Sequence, residues 1–112
     1  ILTNVNHTMD IMKDESFGPV IGVMKVEDDL EAKELMNDTD FGLTSSVYTN
    51  NITRGKSIIK SLDTGTGYIN CCDRVSPWLP WSGRRHSGIG STLSEIGLIS
   101  FCSPRGYHIR KN

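Results

Sequence analysis

The 112-residue chain lacks any surplus of charge: 12 Lys+Arg oppose 13 Asp+Glu, for a formal net charge of −1. That balance leaves no electrostatic footprint for nucleic acid or for an anionic membrane surface. Long hydrophobic runs are also missing, the apolar stretches being a handful of residues and far short of a bilayer span. No basic segment followed by an apolar one opens the chain, so a secretory leader is not expected. Only three cysteines occur, Cys71, Cys72 and Cys102, with neither C-x-x-C nor Cys/His zinc spacing. The expectation is free thiols in a reducing compartment; a vicinal Cys71–Cys72 disulfide ranks below that because it is strained. His7, His86 and His108 are scattered with no partner at ligand spacing, so no metal site is expected.

What is present suits one small α/β domain, with 37% hydrophobic and 22% charged residues and no repeat or low-complexity tract. "GPVIGVMKV", from Gly18, is β-branched and nearly continuous, which predicts a strand buried on both faces. "DDLEAKELMND" places acids at a helix start and spaces Leu30, Ala32, Leu35 and Met36 along one side. "FGLTSSVYT" predicts a second strand with Leu43, Ser45, Val47 and Thr49 on one face. "NITRGKSIIKSLDTG" carries Ile52, Gly55, Ile58, Ile59 and Leu62 at helical spacing, with Gly65 where a terminating glycine would sit. "TGYIN" predicts a third strand. The order β-α-β-α-β, with helices of crossover length, implies a parallel sheet.

After Asn70 the pattern changes. "CCDRVSPWLPWSGRRHSGIGS" is rich in Pro, Gly, Ser and Trp and predicts a long ordered loop. Thr92 and Glu95 form a capping-box pair for a short helix, and "LISFCSPRGYHIRKN" predicts a strand or extended tail broken at Pro104. Three strands, two helices and so much loop make a thin core, so this chain is expected to pack against more protein. It opens on Ile1 in mid-pattern, and the expectation is a processed product or a fragment.

Several side chains are candidates for chemistry. Glu15 can accept hydrogen bonds at both carboxylate oxygens and so can hold a vicinal diol such as a ribose. Phe17 offers a flat apolar face, and Gly18-Pro19 makes a stiff turn that would fix both. Taken alone, this stretch also reads as a solvated acidic turn. Cys71 or Cys72, with Arg74 adjacent and His86 in the same loop, has the form of a nucleophile, but free cysteines are commonly packed and inert. The Arg84-Arg85-His86 run reads either as an anion site or as a solvated basic loop. "SGIGS" has the shape of an anion nest but lacks the lysine of a P-loop.

Read in order, "DESFGPV", "NDTDFGLTSSVYTNN", "LDTGTGYIN" and "PWSGRRHSGIGS…EIGL" resemble the C-terminal part of an aldehyde dehydrogenase. The family's Glu-x-Phe-Gly-Pro motif is matched by Glu15 to Pro19, and its asparagine-turn-glycine-leucine stretch by Asn37 to Leu43. Its glycine-led strand end is matched by Gly65 or Gly67 running into Asn70. Its Pro-Phe-Gly-Gly-x-Lys-x-Ser-Gly motif is matched by Pro80 to Gly88, with Trp81, Ser82 and Arg85 as departures.

The resemblance implies a fold, a cofactor and site residues. The expected fold is α/β: a parallel β-α-β-α-β sheet segment with a long loop, a short helix and a C-terminal strand, part of the aldehyde dehydrogenase catalytic domain. Residues 1–103 would belong to that domain, and 104–112 would form a tail that pairs with another subunit in a homo-oligomer. Glu15 would bind the nicotinamide-side ribose of NAD or NADP, with Phe17 near the ring. Asn70 would support the catalytic loop from behind, and Cys71, Cys72, Asp73 and Trp81 would line the substrate tunnel. The Arg84–Arg85 pair would favour an aldehyde that bears a carboxylate. The partners implied are an aldehyde and the remainder of the same enzyme, and the compartment is cytoplasmic or the mitochondrial matrix.

In this family an activated cysteine attacks the aldehyde, hydride passes to the cofactor, and a glutamate-activated water hydrolyses the thioester. The segments carrying that cysteine, that glutamate and the dinucleotide-binding domain lie upstream in family members. Cys71 and Cys72 do not occupy the nucleophile's position, so this chain alone is expected to be inactive. The other reading is a stand-alone interaction module that keeps the fold without the chemistry.

Overall fold

The structure, a computed structural model, describes residues 1–72 and 74–112. In chain order it contains a 3-10 turn at Asp10–Met12, helix α1 (Asp29–Asn37), strand β1 (Thr44–Val47), helix α2 (Ile52–Lys60), strand β2 (Thr66–Ile69) and helix α3 (Ser94–Ile99). β1 and β2 pair in parallel, with Thr44 opposite Thr66 and Val47 opposite Ile69. α2 is the crossover between them and packs on both. The second β-α-β unit of the expected order is therefore formed as a regular sheet.

Helices α1 and α2 begin where their capping residues dictate. Asp28 accepts hydrogen bonds from the Leu30 and Glu31 amides at 2.8 and 2.9 Å. Asn51 accepts from the Arg54 amide at 2.9 Å, so each side chain satisfies donors that the first turn leaves open. Asp29 in the first turn of α1 is paired with Arg54 of α2, whose Nε lies 2.6 Å from the carboxylate, which joins the two helix starts.

The core lies between α2 and the sheet. Ile58, Leu62 and Tyr68 are its buried hydrophobic residues, each 8% exposed, and among the described residues no large side chain is fully buried. Gly67 lies against Ile59, where a β-carbon would overlap that side chain. The Leu30 and Met36 side chains of α1 stay exposed, with no element among the described residues covering them.

Four expectations are corrected. The 18–26 run forms no strand of the sheet; it is extended chain with one parallel bridge, Leu2 to Gly22, and Val20, Ile21 and Val23 are exposed. A strand exists only where a neighbour supplies a hydrogen-bond ladder, and the described residues offer this run one rung. α2 ends at Lys60, with the Ser61 amide bonded back to Ile58 and Ile59, five residues before Gly65. The Thr92–Glu95 capping box does not form: α3 starts at Ser94, and Thr92 is instead bridged to Trp81. The tail after Ser103 is exposed throughout and carries no strand, for want of a partner within the chain.

The consequence is a large surface. The chain exposes 9142 Å², against about 6,100 Å² for a compact monomer of 12.4 kDa. Its radius of gyration is 19.0 Å, where a compact chain of this length would have about 13 Å.

Candidate functional site

Glu15 is on the wall of a cavity of about 710 Å³. The segment from Lys13 to Glu15 forms one side, residues 41–46 at the start of β1 form another, and His86 and Ser87 close a third. Three of the sequence motifs therefore meet around one space.

The 13–15 segment is held in place by its neighbours. Lys13 Nζ is 2.7 Å from the Asp38 carboxylate at the end of α1, and His7 Nε2 approaches the same carboxylate at 3.1 Å. Thr39 Oγ1 donates to the Lys13 carbonyl at 3.3 Å. The hydrogen bond from Lys13 holds the Asp38 carboxyl below its ordinary range, with the charges of Lys13 and His7 adding to it against a smaller desolvation effect.

The loop 82–88 is fixed mainly by backbone contacts. The Gly42 amide donates to Ser87 Oγ at 2.9 Å, the Gly42 carbonyl accepts from the Gly65 and Arg84 amides at 3.0 Å, and the His86 amide donates to the Asp40 carbonyl at 2.9 Å. The His86 ring meets Phe41 edge to face at 6.1 Å. These approaches need small residues: a β-carbon on Gly42 would lie 2.9 Å from Arg84 Cβ, and one on Gly65 would overlap the Ser82 carbonyl.

Arg85 is an anchor. Its Nε donates to Asp63 at 2.9 Å, and its Nη1 donates to the Asn37 carbonyl at 2.7 Å and also to the Thr39 carbonyl. Arg84 donates to Ser82 and to the Gly83 carbonyl, with Asp63 4.0 Å from its Nε. Both guanidinium groups have acceptors from this chain.

Other expected residues lie outside this cavity. The Phe17 ring is 95% exposed, on a backbone with φ of 46°. Trp81 is half-buried, its backbone in an antiparallel bridge with Thr92 at 2.8 and 2.9 Å. Asn70 terminates β2 with φ of 57°, and Cys71 and Cys72 follow as exposed free thiols. Asp73 lies outside the described residues. The pair thus follows the carboxyl end of a parallel strand, where open α/β sheets present their ligand-binding loops.

Structural residues missed from sequence include Asn37, whose carboxamide donates to the Ser61 carbonyl at 3.0 Å and accepts from the Asp63 amide at 2.9 Å. Tyr48 was missed as well, although the strand alternation that put Leu43 and Val47 on one face already placed Ser46 and Tyr48 on the other. Among the described residues no group of three or more His, Cys, Asp or Glu side chains can hold a metal ion.

Residues 1–105 match the model of the "Aldehyde dehydrogenase family". The chain belongs to the aldehyde dehydrogenase family. It is similar to "Betaine aldehyde dehydrogenase 1" of Oryza sativa subsp. japonica, with 40% identity over 92% of this chain and 20% of that protein. It is also similar to "Aminoaldehyde dehydrogenase 2" of Zea mays, with 41% identity over 90% of this chain and 20% of that protein. The crystal structure of betaine aldehyde dehydrogenase from Staphylococcus aureus in complex with NAD+ superposes with a TM-score of 0.84 and 34% identity, over 88% of this chain and 20% of that one. A lactaldehyde dehydrogenase structure gives 0.83 and 37%, over 88% of this chain and 21% of that one. The chain spans about a fifth of the length of the relatives it matches. Its α/β architecture is that of the matching part of these aldehyde dehydrogenases, with the two-stranded parallel sheet at its centre.

Proposed function

We propose that this chain is the C-terminal part of the catalytic domain of an NAD(P)-dependent aldehyde dehydrogenase, which oxidises an aldehyde to a carboxylic acid through a cysteine thioester. The observation that carries this reading is the placement of Glu15: an exposed carboxylate on a cavity built by three of the family's motifs. A carboxylate there fits the vicinal hydroxyls of a ribose, and the bare Phe17 ring fits the face of a heteroaromatic ring. When bound, the nicotinamide cofactor accepts the hydride released by the substrate. The chain's own residues bind and orient: Glu15 holds the sugar, Phe17 covers the ring, and Asn70 braces the end of the sheet. Cys71, Cys72 and Trp81 line the approach of the aldehyde.

The surface supports membership of a larger unit. An excess of about 3,000 Å² over a compact monomer is the scale of an obligate interface. The remainder of the enzyme would take most of it, and the 104–112 tail would pair with another subunit. Three exposed free thiols support a reducing compartment, the cytoplasm among them.

The test is Glu15→Gln in the complete protein, with cofactor titration and single-turnover hydride transfer. A charge-assisted hydrogen bond lost from an exposed side chain predicts about a ten-fold loss in cofactor affinity or transfer rate at unchanged thermal midpoint. Unchanged kinetics would overturn the ribose role. The isolated chain is expected to form no NAD(P)H from aldehydes.

A further inference from the structure

Two nucleophilic residues are adjacent in the sequence just past the end of β2, and three hydrogen-bonded tethers hold the chain around them. On the near side, the Asn70 carboxamide is bonded to both backbone groups of Thr49. In the middle, Ser46 Oγ donates to the Cys71 carbonyl. On the far side, the Tyr68 hydroxyl donates to the Arg74 carbonyl at 3.2 Å. Ser46 belongs to β1 and Tyr48 follows that strand, and both thiols are exposed.

The Tyr48 phenol has its pKa raised, first by hydrogen bonding to the Cys72 thiol, with desolvation and the charges of Cys72 and Cys71 adding to it against a weaker opposing bond to Ser46.

A direct bond between them is geometrically poor. Neighbouring α-carbons across a trans peptide are about 3.8 Å apart, whereas ordinary disulfides span about 4.4–6.8 Å. A single bridging atom relieves that misfit. Thiolates bind a soft centre at roughly 2.3 Å, which lets the two sulfurs stay well beyond disulfide bonding distance.

We propose that Cys71 and Cys72 form a dithiol site that captures a thiophilic centre with two exchangeable positions, of which a trivalent organoarsenical is the type. The reaction is R–As=O + 2 RSH → R–As(SR)₂ + H₂O. Two As–S bonds form, the As=O bond breaks, both thiol protons leave with the oxide oxygen as water, and arsenic stays trivalent. Holding both thiols on one tethered segment makes the second attachment intramolecular, so the chelate outlasts any adduct on a single cysteine.

The site rests on local geometry alone and does not require that the pair line a substrate tunnel. The full chain is treated with phenylarsine oxide, washed with excess 2-mercaptoethanol, and read by intact mass and peptide mapping. About one equivalent is expected to survive the wash, to map to residues 71–72, and to be released by 2,3-dimercaptopropanol. Cys71→Ser and Cys72→Ser should each retain at most roughly a tenth of it, while Cys102→Ser retains it all. The proposal is overturned if no adduct survives on the unaltered protein, if it maps elsewhere, or if either single variant retains it. Mapping on the unaltered protein decides the matter even should a variant fold poorly, and since turnover is not measured, a wrong tunnel assignment leaves the result unchanged.

Discussion

Asn70 grips Thr49 at both of its backbone groups: Asn70 Oδ1 accepts the Thr49 amide at 2.7 Å, and Asn70 Nδ2 donates to the Thr49 carbonyl at 2.9 Å. The residues lie just past the last paired positions, Val47 and Ile69, so the clamp prolongs the sheet where its regular ladder stops. Asn70 adopts φ of 57°, a conformation asparagine tolerates better than most residues.

Asn70→Ala removes both bonds and places a less tolerant residue at positive φ, while Asn70→Gly removes only the bonds. The alanine variant should lose about 2 kcal/mol and the glycine variant about 1 kcal/mol, measured as urea midpoints. Equal losses would show that the backbone conformation carries no strain here.

Gly65→Ala drives a methyl group into the Ser82 carbonyl, and backbone on both sides must shift. A loss above about 3 kcal/mol is expected in equilibrium unfolding. Gly106→Ala meets nothing within 4 Å and should be neutral in the same measurement.

Arg85 ties its own loop to Asp63 and to the Asn37 and Thr39 carbonyls. Lysine has the charge but not the planar fork, so Arg85→Lys should keep one of these contacts and lose about 1–2 kcal/mol. Amide exchange over residues 82–88 should quicken in this variant, and unchanged protection would show that the loop is held by its backbone bonds alone.

Acid should loosen the chain at two points. The carboxyl of Asp29, bonded to Arg54, and that of Asp38, bonded to Lys13, both titrate below the ordinary value in the folded chain. The unfolded state therefore binds protons first as pH falls. The stabilisation is complete above about pH 4 and disappears as pH drops through the lower folded values. Asp29→Asn and Asp38→Asn should each flatten the acid limb of a stability–pH profile, and added salt should flatten it too, because both pairs are exposed.

Local signals marked some elements well. Asp28 and Asn51 cap helices where their side chains reach open amides, and the periodicity of Ile58 and Leu62 identified the buried side of α2. The order of motifs around Glu15, Gly42 and Ser87 identified the family. The 18–26 run misled because β-branched residues report only a preference for extended backbone. Whether such a run becomes a strand depends on which segment lies beside it, and here that is a single bridge to Leu2. The anchoring role of Arg85 was not legible for a similar reason, since a charge in a loop does not reveal that Asp63 and two carbonyls accept from it.

What the sequence determined by itself was local: the starts of α1 and α2 and the chemistry of each motif. Only the tertiary structure decided that Glu15 lines a cavity shared with His86 and Ser87, that Arg85 is an anchor, and that Ser46 is bonded to the Cys71 carbonyl. The reason is physical. Capping and periodicity act over a few residues, whereas these relationships bring together segments 20 to 70 positions apart, and their geometry is set by the packing between them.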